Sequence, residues 1–309
     1  MNPTLNPRRW LAGLLVLVAM AAPGVPAQAQ PLRVVASFSV LGDLVRAVGG
    51  DDIVLDVLVG PNRDPHSWEP SPQAVQHLAR ADVLIENGLG FETWMGRLVA
   101  SSGFAGQRIV ASAGVTPLEL ADTGDHDHDH HDHGGHDPHA WQDVRHAMRY
   151  VENIAAGLAA ADAGKAAAYR DRADRFLAEL AALDAELRAR FAALSGRQLT
   201  AITGHQAFGY AGAAWGIAFL SAAGLSSDAE PSAREVAALI DLARDAPGRV
   251  GVFIEKGSHP RLVRQLAREA GVTVAGPLYS DALDAPGHAA GSYMGMMRWN
   301  ADQLLLALD

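Results

Sequence analysis

Short runs of β-branched and aliphatic residues alternate with helical segments along most of this chain, and that alternation admits few folds. The first set of runs covers residues 32–39 (LRVVASFS), 52–60, 82–88 and 108–114, with helical patterns over 40–50 and 71–81 between them. Strands spaced this way by helices predict a parallel sheet, because each crossover needs a helix to return the chain to the same edge direction. The pattern then changes. From about Val144 to Leu194 it is helical throughout, interrupted mainly at Gly164, and the run 165–194 keeps apolar residues at helical spacing for thirty positions. At 1.5 Å per residue that run reaches roughly 45 Å, longer than a small domain. A second α/β set follows, with strands predicted over 197–203, 217–223, 248–255 and 271–280. A helix opens at the Ser232 and Glu235 capping pattern, and a last helix runs from about Met294 to Leu308. The fold class read from this order is α/β, with two parallel-sheet lobes linked by one long rigid helix and a cleft between them. The predicted boundaries are 30–163 for the N-terminal lobe, 164–194 for the linking helix and 195–309 for the C-terminal lobe.

Residues 1–29 read as a secretory signal. Arg8 and Arg9 precede the apolar run LAGLLVLVAMAA, and Ala27-Gln28-Ala29 supplies small residues for cleavage. The run is shorter than the ~20 apolar residues of a membrane span and is followed by Pro23 and Pro26. The whole chain carries a net charge of −10; without the two leader arginines it becomes −12. An acidic balance with no basic tract argues against nucleic acid or an anionic membrane as partner. Cysteine is absent, which excludes disulfides, thiolate metal sites and a thiol on which to hang a lipid anchor. These features predict a soluble, monomeric periplasmic protein.

Candidate chemistry lies just beyond the strands. His66 stands in the loop after strand 52–60 (DPHSWEP), His205 two residues past strand 197–203 (TGHQAF) and Asp281 directly after strand 271–280 (LYSDALD). His139 ends an acidic-histidine stretch in a second DPH and precedes a helix. Ligands of open α/β sheets bind beyond the carboxyl ends of the strands, so three imidazoles and one carboxylate are placed to converge in the cleft. Such a set suits a divalent transition metal, and zinc in particular. Asp64 and Asp137, each two residues before a histidine, are placed to orient the two loops.

Several segments, in order, resemble the metal-binding solute-binding proteins of zinc and manganese ABC importers. They are DPHSWEPSPQAVQHLARADVLIENGLGFETW, the histidine-rich insert before DPHAW, HQAFGYAGAAWGI, EPSAREVAALI and LYSDALDAPGHAAGSYMGMMRWNADQLL. The resemblance spans essentially the whole mature chain. It implies two α/β lobes bridged by a rigid helix, one transition-metal ion held tightly between them, and ligands at His66, His139, His205 and Asp281. It further implies delivery of the ion to a membrane permease of a zinc ABC transporter, with a periplasmic metallochaperone as a further possible partner, and no enzymatic activity. Nitrogen donors favour zinc, whereas manganese prefers oxygen-rich sites. His205 in place of an acid and the histidine-rich insert therefore resemble the zinc branch, with a manganese receptor as the alternative. Asp281 and the lack of cysteine depart from many zinc-branch members and leave the coordination number open.

Residues 125–136 hold His126, His128, His130, His131, His133 and His136 among aspartates and glycines, with no apolar residue. Such a composition cannot offset the entropy of ordering. The loop is read as an auxiliary, weak zinc collector feeding His139 rather than the main site. His77, His146, His259 and His288 read as surface residues, and Met294 and Met297 as helix core. A zinc hydrolase is the competing class, disfavoured because four protein ligands close the position that a catalytic zinc keeps for water. A zinc store or adhesin built on the loop is a third reading. A long helical connection predicts small lobe movement on metal binding.

Overall fold

A computed structural model of the protein describes residues 30–119, 135–221, 233–245, 248–256, 261–272 and 274–309. The expected leader, the loop histidines His126 to His133, Ser232 of the capping pair and His259 lie outside the described residues. No described helix is long and apolar enough to cross a membrane.

The first sheet is built from β1 (Leu32–Phe38), β2 (Ile53–Val59), β3 (Val83–Glu86) and β4 (Gln107–Val110), in the order β2-β1-β3-β4 and parallel throughout. Its helices are α1 (Ser39–Gly49), α2 (Pro72–Ala79), α3 (Met95–Ser102) and α4 (Val144–Ala161). The second sheet repeats the plan with β5 (Leu199–Thr203), β6 (Ala218–Ser221), β7 (Arg249–Glu255) and β8 (Val274–Leu278), in the order β6-β5-β7-β8, again parallel. Around it lie α6 (Gly209–Trp215), α7 (Ala233–Asp245), α8 (Arg261–Ala270) and α9 (Tyr293–Leu308). The central strands are buried on both faces, as uncharged and mostly apolar runs allow; β1 is buried from Val34 onward and β5 along its whole length. In each sheet the chain order reverses direction beside the first strand, between β1 and β3 and between β5 and β7. Crevices at such switch points collect ligands.

The predicted thirty-residue helix is α5 (Ala166–Ala192), 27 residues long, and a 3-10 turn at Ala163–Lys165 separates it from α4. Its buried positions, Tyr169, Ala173, Leu180, Leu183, Leu187 and Phe191, recur every three to seven residues along one stripe. The stripe packs on α1 and α4 of the first lobe and on α6 and α9 of the second. One continuous apolar cluster therefore runs from Val34 in β1 through α5 to Leu308 in α9. A smaller cluster, including Ile202, Leu239, Val252 and Leu266, seals the far face of the second sheet under α7 and α8. The expected helix core around the methionines is present, but the fully buried pair is Met296 and Met297, with Met294 only half-buried.

Capping follows the local chemistry. Ser71 accepts from the Ala74 N–H with Pro72 at the first helical position of α2, Asp143 accepts from Arg145 N–H at the start of α4, and Ser292 accepts from Gly295 N–H at the start of α9. Near its first turns α5 is tied to the first lobe by one guanidinium. Arg172 donates to the Val48 carbonyl at 2.6 Å, the Gly49 carbonyl at 2.8 Å and Asp52 Oδ2 at 2.8 Å. Removing it orphans the carbonyls at the α1 C-terminus, so Arg172→Ala is expected to cost about 1–3 kcal/mol. The drop would appear as a lower urea midpoint with an unchanged slope; an unchanged midpoint would refute the role of the clasp.

Candidate metal centre

His66 and His139 reach the cleft by the same local device. In each DPH segment the aspartate Oδ1 accepts the backbone N–H of the histidine two residues on, at 2.8 Å for Asp64 and 2.9 Å for Asp137. This Asx turn, with proline fixing the middle φ, points both imidazoles the same way. Asp137 Oδ1 also lies 2.8 Å from His139 Nδ1, which fixes the tautomer so that Nε2 faces the cleft. The His66 loop is pinned from behind by Trp94, whose indole N–H donates to the Pro65 carbonyl at 2.9 Å and whose ring meets Trp68.

His205 follows β5 at the switch point of the second sheet, and a residue that the strand pattern does not single out holds it there. Glu255, the last residue of β7 and 1% exposed, accepts from the Gly204 and His205 backbone N–H groups at 2.6 and 3.0 Å. Its Oε2 lies 2.6 Å from His205 Nδ1. The cue was present in the sequence, as a carboxylate ending an aliphatic strand beside the strand that bears His205. Asp281 stands three positions beyond the end of β8, after Tyr279 and Ser280.

The four predicted residues come together. His66, His139, His205 and Asp281 each offer one donor atom, and these atoms all lie within 4.8 Å of one another. His66 Nε2 is 3.3 Å from His139 Nε2; Asp281 Oδ1 is 3.3 Å from His139 Nε2, and Oδ2 is 3.0 Å from His205 Nε2 and 3.8 Å from His66 Nε2. His139, His205 and Asp281 are buried, and the His66 side chain is nearly so. Phe91 roofs the group, with its ring centroid 4.8 Å from that of His66 and 5.7 Å from that of His139. It is carried there by a turn in which Gly88, Leu89 and Gly90 all have positive φ, a path that the two glycines, but not Leu89, take without strain. The turn is secured by Glu92, which accepts from Ser37 Oγ and the Asn87 N–H.

Burial and mutual charge divide the protons. Burial presses the His66 pKa down to about 4, with His139 and His205 adding to the effect and Asp281 opposing it. Burial also disfavours imidazolium at His205, but Glu255 and Asp281 on either side outweigh it and lift its pKa well above the ordinary value. Asp281, although buried, is held well below the usual carboxylate range by His205, His139 and His66. Positive charge is thus favoured beside Asp281 and Glu255. Asp281 Oδ1 is buried without a hydrogen-bond partner among the described residues, which is rare for a buried polar atom.

Of the auxiliary histidines only His136 is described. It forms an isolated antiparallel bridge with Glu119 at the base of the insert, its Nδ1 3.7 Å from a Glu119 carboxylate oxygen, and it is not among the four clustered residues. The insert's base is fastened by Tyr210 of α6, whose hydroxyl donates to the Asp137 carbonyl and accepts from the Leu118 N–H. His77 pairs with Asp56, His288 is exposed, and His146 packs edge-on against Tyr210. None of these three approaches the cluster.

Comparison with known proteins agrees with this geometry. Among curated proteins the chain is similar to a manganese-binding lipoprotein of Halalkalibacterium halodurans, with 29% identity over 96% of this chain and 97% of the relative. It is also similar to a putative metal-binding protein of Treponema pallidum, with 32% identity over 85% of each, and to an iron ABC transporter substrate-binding lipoprotein of Streptococcus pyogenes, with 26% identity over 94% of each. Among solved structures it superposes on the periplasmic zinc-binding protein TroA from Treponema pallidum with a TM-score of 0.81 at 27% identity, covering 90% of this chain and 99% of that one. Residues 34–307 match the family described as zinc-uptake complex component A, periplasmic. The chain belongs to that family, which consists not of enzymes but of metal-binding substrate-binding proteins that serve ABC importers together with a membrane permease.

Proposed function

We propose that the protein is a periplasmic receptor that captures one Zn(II) ion on His66, His139, His205 and Asp281 and hands it to the permease of a zinc ABC importer. The observation that carries the reading is the donor set: three imidazole nitrogens and one carboxylate at separations of 3.0 to 3.8 Å for the pairs that flank one another. A tetrahedral zinc with bonds near 2.0–2.1 Å places its donors about 3.3–3.4 Å apart, in the middle of that range. Nitrogen-rich coordination favours zinc over manganese. The four protein ligands fill a tetrahedral shell, which suits capture and transfer rather than activation of water. Residues 1–29 are read as the export signal, the mature chain as a soluble monomer without a lipid anchor, and the histidine insert as a weak collector beside His139. A metallochaperone that loads the receptor fits the same scheme.

A manganese receptor is the second reading. It is favoured by the manganese-binding name of one relative and by both oxygens of Asp281 facing the cluster.

Native mass spectrometry of the mature chain against a competing chelator is expected to show one retained zinc, also after deletion of residues 125–136. His205→Ala should weaken that ion by more than the ~10–100-fold typical of losing an outer partner. Loss of the tight ion with the loop, and its persistence in His205→Ala, would shift the assignment to storage or adhesion.

The raised pKa of His205 fixes the sign of a pH dependence. Below that pKa the incoming ion must displace a proton, so zinc affinity should climb with pH by up to about tenfold per unit over roughly pH 6 to 8. Glu255→Gln removes one of the two carboxylates that hold the proton and should flatten the slope. A wild-type affinity independent of pH in a competition titration would contradict the assignment of His205.

A further inference from the structure

Asp281 is the only carboxylate among the four clustered donors, and its orientation is not left to the ion. Ser280 Oγ donates to Asp281 Oδ2 at 2.9 Å. That contact fixes the rotation of the carboxylate about its own terminal bond, a torsion that is otherwise broad. The backbone behind the hydroxyl is fixed as well. The Ser280 carbonyl accepts from the Trp141 indole N–H at 3.0 Å and from Gln142 Nε2 at 2.7 Å. Both residues lie in the 3-10 turn directly after His139, so the loop bearing one imidazole holds the segment bearing the carboxylate. Ser280 is 3% exposed and Gln142 fully buried, so no water competes for these bonds. The result is a carboxylate turned so that its two oxygens address different imidazoles, Oδ1 towards His139 and Oδ2 towards His205.

We infer that Ser280 is a positioning residue that sets how many oxygens Asp281 offers to the cargo ion, and through that sets the balance between zinc and a larger, oxygen-seeking divalent ion. The inference rests on the four-residue site of the proposed function. Zinc completes a tetrahedron with one carboxylate oxygen. Manganese, which favours oxygen donors and higher coordination, gains from a second oxygen held in reach. Without the hydroxyl the carboxylate keeps only its contacts with the imidazoles, whose nitrogens the ion takes over: zinc keeps its single oxygen, while manganese loses a donor for part of the time.

The test is a pair of chelator-competition titrations, zinc and manganese, on the wild-type protein, Ser280→Ala and His205→Ala. In Ser280→Ala manganese is expected to weaken by about 10-fold or more, within the range found for partners that orient a metal ligand, with zinc changed by less than about 3-fold. Retained zinc binding shows in the same experiment that the variant's site is assembled. Equal loss of both metals, or loss of neither, would overturn the inference. The second readout needs no variant: a crystal structure of the wild-type protein loaded with manganese should place both Asp281 oxygens on the ion with Ser280 Oγ still on Oδ2, and a single coordinated oxygen there would overturn it. Undiminished metal binding by His205→Ala would instead overturn the site itself, so the two failures are separable.

Discussion

A buried carboxylate needs compensating charge, and in this protein Asp281 receives it from three imidazoles that the chain brings from three separate loops. Taking such a group out of water costs several kcal/mol unless partners offset it. The cost here is offset by His205, His139 and His66, of which His205 is in turn fixed by Glu255, His139 by Asp137 and the His66 backbone by Asp64. Nothing in the cleft is therefore independent. The strand ends must lie where they do because the carboxylate would otherwise be unpaired, and the imidazoles would lose the anion that makes a cation welcome.

That mutual dependence requires two sheets to be held in register across a cleft, and the structure does this with apolar packing and with hydrogen bonds to backbone. The stripe on α5 joins helices of both lobes into one core. Across the cleft, Trp141 and Gln142 hold the Ser280 carbonyl, Tyr293 donates to the Trp141 carbonyl, Leu283 N–H donates to Ser39 Oγ, and Asn62 N–H donates to the Leu283 carbonyl. A hinge opening would break these bonds together, each worth about 1 kcal/mol net and more where a buried partner is left orphaned. The architecture thus ties both lobes through shared packing and through bonds to backbone at the cleft.

The parts legible in the sequence were those with a periodic or terminal signal. Alternating strands and helices announced two parallel sheets, the long amphipathic run announced α5, and the rule that ligands gather beyond strand ends singled out His66, His205 and Asp281. Glu255 was passed over because it reads as the last residue of a strand, and only its proximity to His205 after folding gives it a role. Trp141, Gln142 and Tyr293 were equally silent. They bond to backbone carbonyls, which every residue has, so no pairing of side-chain types reveals them. The 27-residue length of α5 differed from the run read over 165–194 because helical spacing continues a residue or two into the turns that flank the helix.

The clasp at the base of the histidine insert has a consequence for how this family can vary. The Leu118 N–H and the Asp137 carbonyl meet on one tyrosine hydroxyl, the Asp137 N–H closes on the Leu118 carbonyl, and Glu119 bridges His136. The two ends of the described chain on either side of residues 120–134 are thus fastened to each other and to α6. Whatever is threaded between those two points can lengthen, shorten or change its alphabet without moving His139, whose placement is settled by Asp137. A stretch written almost wholly in aspartate and histidine is tolerable between those two ends because the hydrogen bonds that hold them do not draw on it, leaving its composition answerable to chemistry alone.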